Sequence, residues 1–338
     1  MTTTKLSHAK LLQANNDFRR SAKVAHLIYI TGNTSGFTRM KKGKGFIYLV
    51  GNKILKDKKQ LERIHKLAIP PSWKNVWISR SPNGHIQATG LDLRNRKQYR
   101  YHAQWSSLRT ETKFHHLYEF GKLLPKLRKK IKTDIRSKKL TQQKVLAAAI
   151  ELMQKTYIRV GNESYEKENG SYGLTTLKDR HISFESSSLT VSFSGKKGVE
   201  QHIKLTDKKL ARIIKECRDI PGKTLFQYYD EKNKKRAIDS AMLNNYIREG
   251  TAGGFSAKDI RTWAGSVQAI NYCLSEENFP RSKKKKRTAA GMLDWVSQQL
   301  GNTRNVCKKY YVHPSLISLY EEKKELPRLI SATEKKNR

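Results

Sequence analysis

The 338-residue chain is poor in acid and in cysteine, and it has no long apolar run. Its three cysteines, Cys217, Cys273 and Cys307, stand far apart and form no Cys-x-x-Cys pair. That excludes a sequence-local zinc motif and suits reduced thiols inside a cell. The most apolar stretch, Val145 to Ile150, falls far short of the ~20 residues that span a bilayer. Met1 to Ala25 is polar and basic, without the apolar core of a signal peptide. The expectation is a soluble, cytoplasmic protein (nucleoid-associated if bacterial) with no membrane partner. Also missing are a P-loop, a dinucleotide fingerprint, His-Glu-x-x-His and Gly-x-Ser-x-Gly. Without a triphosphate cradle or an evident carboxylate cluster for Mg²⁺, ATP-driven and metal-assisted phosphoryl chemistry are disfavoured, and no metal or cofactor is expected.

What the chain has in excess is positive charge. Lys plus Arg number 69 against 29 Asp plus Glu, a formal charge of +40. Such a surplus repels itself and weakens the compact state, so it points to a polyanionic partner. Nucleic acid fits, because neutralising phosphates releases their counterions and supplies most of the non-specific affinity. The basic residues run through the whole chain between five Trp, ten Phe and fifteen Tyr. That distribution favours a folded nucleic-acid binder over a basic tail or a disordered chain.

Length suggests two domains. Residues 1–25 read as a mobile or weakly helical lead-in. From Leu27 to Tyr101 short strand patterns dominate: Phe46 to Val50, then Val76 to Ile78 and His85 to Thr89 around the turn signal Pro82-Asn83-Gly84. Lys59 to Leu67 reads as a short helix stopped by Pro70-Pro71. After Trp105 the pattern changes. Lys113 to Ile135 is helical, and Thr141 caps a helix carrying Leu146, Ile150, Met153 and Tyr157. A strand-rich island follows, in which Leu189 to Phe193 and Glu200 to Leu205 form a hairpin with a lysine-bearing tip. Ser256 caps a helix with Ile260, Trp263, Val267 and Ile270 on one face; beyond the basic loop Arg281 to Arg287 runs another through Met292, Trp295, Val296 and Leu300. The expected class is α+β: a β-rich domain over 26–107, a larger, mainly helical catalytic domain over 108–325 with the hairpin island, and a charged tail over 326–338.

Several cationic side chains adjoin structured segments: Arg159 after its helix, Lys196 on the hairpin tip, and Lys258 and Arg261 at i and i+3 on one helix. Asn302 and the pair Tyr310-Tyr311 come later. Phosphodiester transesterification without a metal needs this inventory. Two guanidiniums can clamp the non-bridging oxygens, an ammonium can protonate the departing sugar oxygen, and a tyrosine can attack and hold the phosphate. Each residue alone has a plainer reading, as solvated face, core ring or turn lysine.

Along nearly its whole length the chain resembles the type IB DNA topoisomerases of the compact poxviral and bacterial kind. Seven blocks in the family's order carry the likeness. Four lie in the front half: Gly36-Phe37-Thr38-Arg39, Ile69 to Ile78, Gly84 to Asp92, and Arg96 to His102. The others are Arg159 to Glu163 with Asn169 to Leu177, Lys258 to Trp263, and Tyr311-Val312-His313-Pro314. The resemblance implies a tyrosine recombinase/topoisomerase IB catalytic fold and a monomer that clamps duplex DNA. It implies that Arg159 and Arg261 hold the scissile phosphate, that Lys196 is the general acid with Lys197 its rival, and that Lys258 is a second active-site lysine. Tyr311 would be the nucleophile, with Tyr310 the competing candidate. Where some relatives carry a histidine nine residues before the nucleophile, this chain has Asn302, an amide donor without charge. In the front domain Lys97, Gln98, Tyr99 and Tyr101 match DNA-contacting residues. Two other classes remain to be separated. Tyrosine recombinases share the chemistry but carry a His-x-x-Arg segment where this chain has Lys258 to Arg261, and they lack the β-rich front domain. A basic architectural DNA-binding protein would form no covalent adduct.

Overall fold

A computed structural model describes residues 11–14, 17–32, 34–275 and 288–321. The basic loop Arg281 to Arg287 and the tail 326–338 lie outside the described residues. The chain divides into two compact units, Met1–His116 and Leu117–Arg338.

The first unit is built on one antiparallel sheet. Strands β1 (Gly36–Lys42), β2 (Gly45–Val50), β3 (Lys53–Ile54), β4 (Lys74–Ser79), β5 (Ile86–Leu91) and β6 (Lys97–Tyr101) lie in the order β3-β2-β1-β4-β5-β6. Alternation puts Phe37, Tyr48, Val76, Ile78 and Ala88 into a core closed by Ile64. Arg39 ties two of the motif blocks together: its guanidinium donates to the carbonyls of Ile69, Pro70 and Trp73 at 3.3, 3.0 and 2.7 Å. The loop through Pro70-Pro71 is thus pinned to β1. Ile64 comes from a short helix, Lys58–Lys66, which starts where Asp57 accepts a bond from the Gln60 N–H.

Two segments are more ordered than the sequence suggests. The stretch read as a lead-in contains helix α1 (Phe18–Val24), and Leu11, Ala22, Ala25 and Leu27 pack with Trp105 and Leu108. The helix expected from Lys113 begins ten residues earlier, as α2 (Ala103–Asp134). Trp105, Leu108 and Thr112 are buried at spacings of three and four, so the helical stripe was already running through that polar stretch. The division between the units falls inside this helix.

In the second unit, helix starts carry their own acceptors. Thr141 caps α3 (Gln142–Thr156) through the Lys144 N–H, and Asn162 caps α4 (Glu163–Asn169). Between α4 and the next helix lies a three-stranded antiparallel sheet of β7 (Ile182–Glu185), β8 (Ser188–Ser194) and β9 (Glu200–Thr206). The β8–β9 turn holds Lys196 as expected. Asp207 then caps α5 (Lys208–Arg218), and Asp239 caps α6 (Ser240–Thr251). At the start of α7 (Ala257–Ser275) the roles at the cap reverse. Ser256 donates from its N–H and its hydroxyl to the Asp259 carboxylate, at 2.8 and 2.9 Å. Then come α8 (Ala289–Leu300), α9 (Arg304–Tyr310) and α10 (Pro314–Glu321). One cluster binds these four helices, made of Ala264, Met292, Leu293, Val296, Leu300, Cys307, Val312 and Ile317. It fixes the backbone on either side of Asn302 and Tyr311. Among the described residues no helix is long and apolar enough to cross a membrane.

Candidate active site

Residues scattered over the second unit converge where α7, the end of α8 and the end of α9 meet. Arg159 lies just beyond the C-terminus of α3. That helix stops at Tyr157, whose φ of 56° is left-handed, and the turn redirects the chain. Arg159 then donates from Nη2 to the Gly301 carbonyl at 3.1 Å and to the Asn302 side-chain oxygen. Both bonds use Nη2, which leaves Nη1 and Nε for a ligand. Gly301 closes α8 with φ of 57°, a conformation glycine adopts without strain.

Arg261 sits one turn into α7 and is only 4% exposed. Its Nη2 donates to the Leu300 carbonyl at 2.9 Å, while its buried Nε has no hydrogen-bond partner. Its guanidinium carbon lies 5.5 Å from the centre of the Tyr311 ring. Burial pushes the guanidinium below its usual pKa; the neighbouring Tyr311 phenol opposes that shift and the like charge of Arg159 reinforces it. The two arginines and the tyrosine therefore share one electrostatic site. Buried native groups are normally satisfied, so an unpartnered guanidinium nitrogen beside a tyrosine is a donor awaiting an acceptor.

The cleft here is lined by Arg159, Lys196, Arg261, Tyr157, Tyr172 and Gln201. Lys196 reaches it from the exposed β8–β9 turn. Lys197 follows in the same turn, but its side chain lies outside what is described. Lys258 is exposed on the first turn of α7 and does not line this cleft. Tyr310 and Tyr311 part company: Tyr311 is partly buried beside Arg261, whereas Tyr310 is 47% exposed with the Lys309 ammonium 5.3 Å from its ring. Cys307 is buried between these groups, its thiol pushed up to about 11 by burial despite the pull of both arginines. It is an inert core residue at neutral pH.

Sequence reasoning missed Tyr157 as a lining group, along with Tyr172 and Gln201. Arg180 donates to the Tyr172 hydroxyl at 3.0 Å, and Gln268 donates to the Tyr157 hydroxyl at 2.9 Å. Tyr157 stood out only as an apolar position on α3, and nothing local marks Gln201.

The other candidates belong to the first unit. On the edge strand β6, Tyr99 and Tyr101 are 42% and 46% exposed and stack at 5.7 Å, with the Lys97 ammonium 5.8 Å from the Tyr99 ring. Gln98 donates to Asp92 at 2.8 Å. The Arg96 guanidinium donates to the Asp92 carboxylate at 2.9 Å, and with the backbone N–H groups of Arg96 and Arg94 it holds the Asp92 pKa at about 2. The tyrosine rings thus stand on the surface, but they lean on each other.

Comparison with known proteins places these features. Residues 102–337 match the model of the eukaryotic DNA topoisomerase I catalytic core, and residues 45–92 match that of the bacterial DNA topoisomerase IB N-terminal domain. The chain is 34% identical to DNA topoisomerase 1B of Acanthamoeba polyphaga mimivirus over 298 residues, covering 86% of this chain and 89% of that one. It is 22% identical to DNA topoisomerase 1B of vaccinia virus (strain Copenhagen), over 69% of this chain and 72% of that one. Among solved structures, the XerH site-specific recombinase bound to difH substrate in a pre-cleavage complex aligns with 63% of this chain at 16% identity. The chain spans about half of that recombinase (52%), and the TM-score of 0.36 is too loose a likeness to assign anything.

Proposed function

This chain belongs to the type IB DNA topoisomerases, and on that premise we propose that it relaxes supercoiled duplex DNA by cutting one strand, letting it rotate and resealing it. The observation that carries this reading is that Arg261, set against the Tyr311 ring and within the field of Arg159, lines one cleft together with Arg159 and Lys196.

The chemistry follows from those groups. The Tyr311 phenol gives its proton to solvent water and its oxygen attacks the scissile phosphorus in line. The bond to the 5′-oxygen breaks and a 3′-phosphotyrosyl ester forms. Charge on the equatorial oxygens is met by the Arg159 and Arg261 guanidiniums, the latter through the buried Nε that has no partner in the free protein. The Lys196 ammonium gives its proton to the departing oxygen, leaving a 5′-hydroxyl. Lys258 supplies positive charge from the first turn of α7. Asn302 holds Arg159 through its side-chain oxygen and offers its amide N–H to the phosphate. The phosphotyrosyl bond conserves the energy of the broken one, so torsion in the DNA drives rotation. The 5′-hydroxyl then attacks, Tyr311 departs, and the proton movements reverse. Neither ATP nor metal is needed. The β-rich unit, through Lys97, Gln98, Tyr99 and Tyr101, holds the duplex, and one monomer closes its two units on it as a clamp.

The test is relaxation of a supercoiled plasmid with chelator present and ATP absent. Wild-type protein should relax it and Tyr311→Phe should not. No relaxation by the wild type, with DNA still bound, would leave an architectural DNA-binding protein.

A further inference from the structure

Helix α7 does more than carry Arg261. At Gly265, four residues on, an added Cβ would lie 2.7 Å from Tyr311 Cβ and 2.8 Å from the Tyr311 carbonyl oxygen. Only glycine lets the helix touch the nucleophile's backbone. The next residue, Ser266, donates from its hydroxyl to the Tyr311 carbonyl at 3.2 Å and accepts the His313 N–H at 3.1 Å. One hydroxyl therefore brackets the two peptides that follow Tyr311. This matters because Tyr311 is not held as part of a helix: it is the residue where α9 ends, with φ −124° and ψ −33°. Its N–H and that of Val312 both bond the single Cys307 carbonyl, at 3.0 Å each. Such a frayed end leaves the ring's direction to whatever grips the chain beyond it.

The same helix face reaches the other arginine. Gln268, at i+7 from Arg261, donates to the Tyr157 hydroxyl, two residues before Arg159. Arg261, Gly265 and Gln268 form one helical stripe, with Ser266 beside it.

We propose that Ser266 is a positioning residue for Tyr311: its hydroxyl fixes the backbone after the nucleophile, in register with Arg261, so that the phenolic oxygen meets the phosphorus in line. This rests on Tyr311 as the nucleophile. Transesterification is geometry-limited, and a misplacement of about 1 Å costs up to ~10²-fold in rate. Cleavage and resealing pass through one transition state, so losing the bracket slows both steps. The fraction of DNA held covalently at equilibrium stays where it was.

The experiment compares Ser266→Thr with Ser266→Val in the full chain. The two share a shape and differ only in the hydroxyl, so any cost of the extra methyl falls on both. Single-turnover cleavage and resealing are measured on a duplex with one cleavage site, alongside equilibrium binding. The expected result is that Val is about tenfold or more slower than Thr in both directions, with DNA affinity and covalent fraction unchanged. Equal rates for the two variants overturn the proposal, as does a loss confined to binding or to one direction. If the wild type forms no adduct, or forms it on Tyr310, the nucleophile assignment fails instead. An adduct on Tyr311 with equal Val and Thr rates sinks only the role of Ser266.

Discussion

Replacing Arg261 by methionine should remove catalysis while leaving the fold standing. A buried cation with an unpartnered Nε is a poor source of stability, and burial lowers its pKa. A cation whose folded pKa lies below its unfolded one destabilises the native state at neutral pH, where both forms are protonated. The bond its charged guanidinium makes to the Leu300 carbonyl is worth about 1.5–3 kcal/mol net. That carbonyl keeps a second donor in the Asn302 amide at 3.4 Å. Methionine fills similar space without a charge to desolvate, so the two effects roughly cancel. A residual ~1 kcal/mol either way would move the melting temperature by roughly 2–4 °C. Catalysis has no such compensation. A lost donor to the transition-state oxyanion costs about 10²–10³ in rate, or roughly 3–4 kcal/mol. Single-turnover cleavage, thermal melting and DNA binding on one preparation measure all three quantities. Binding should hold, because one phosphate contact among many sets little of the affinity. Cleavage within about threefold of wild type would refute the role of Arg261. A melting temperature lowered by more than about 10 °C would show that the guanidinium is structural.

Further outcomes follow from the same geometry. Lys196→Ala should cleave slowly on ordinary DNA but near the wild-type rate where sulfur replaces the departing 5′-oxygen, since a thiolate leaves without a proton. Rescue seen with Lys197→Ala and not with Lys196→Ala would transfer the role. Asp92, held at about 2 against its ordinary 3.8, favours the folded state above pH 4, and that contribution is lost as pH falls towards 2. Asp92→Asn should therefore melt earlier than wild type at pH 7 and converge with it near pH 2; a constant difference in melting temperature would contradict the assignment. Lys97→Ala should weaken binding to all sequences alike and flatten the dependence of log affinity on log salt by about 1. An unchanged slope would mean that Lys97 meets no phosphate.

The local pieces of this molecule were legible in the sequence, and the convergence was not. Thr141 announced its helix, because a capping hydroxyl before an apolar period is a short-range signal. The hairpin around Lys196 was equally local. The start of α2 was obscured because Trp105, Leu108 and Thr112 sit in a run of Ser, Thr and charged residues. Ser256 caps its helix with the donor and acceptor roles opposite to those expected, since Asp259 supplies the stronger acceptor. At the site, Arg159, Arg261, Lys196, Asn302 and Tyr311 are legible as groups beside structured segments, but their roles come from the family resemblance, not from spacing. Contacts such as Arg159 to Asn302 span 143 residues, and no periodicity encodes them. Ser266 and Gly265 were invisible for the same reason: a serine and a glycine within a helix look like weak helix formers until the Tyr311 backbone is seen against them.

The central claim is that Tyr311 becomes bonded to DNA. Mixing protein with a duplex, trapping with denaturant, digesting and sequencing the DNA-linked peptide tests it directly. The expected result is one modified residue, Tyr311, joined to a 3′-phosphate with a 5′-hydroxyl on the released strand. A linkage to a 5′-phosphate, or to any residue other than Tyr311, would contradict it.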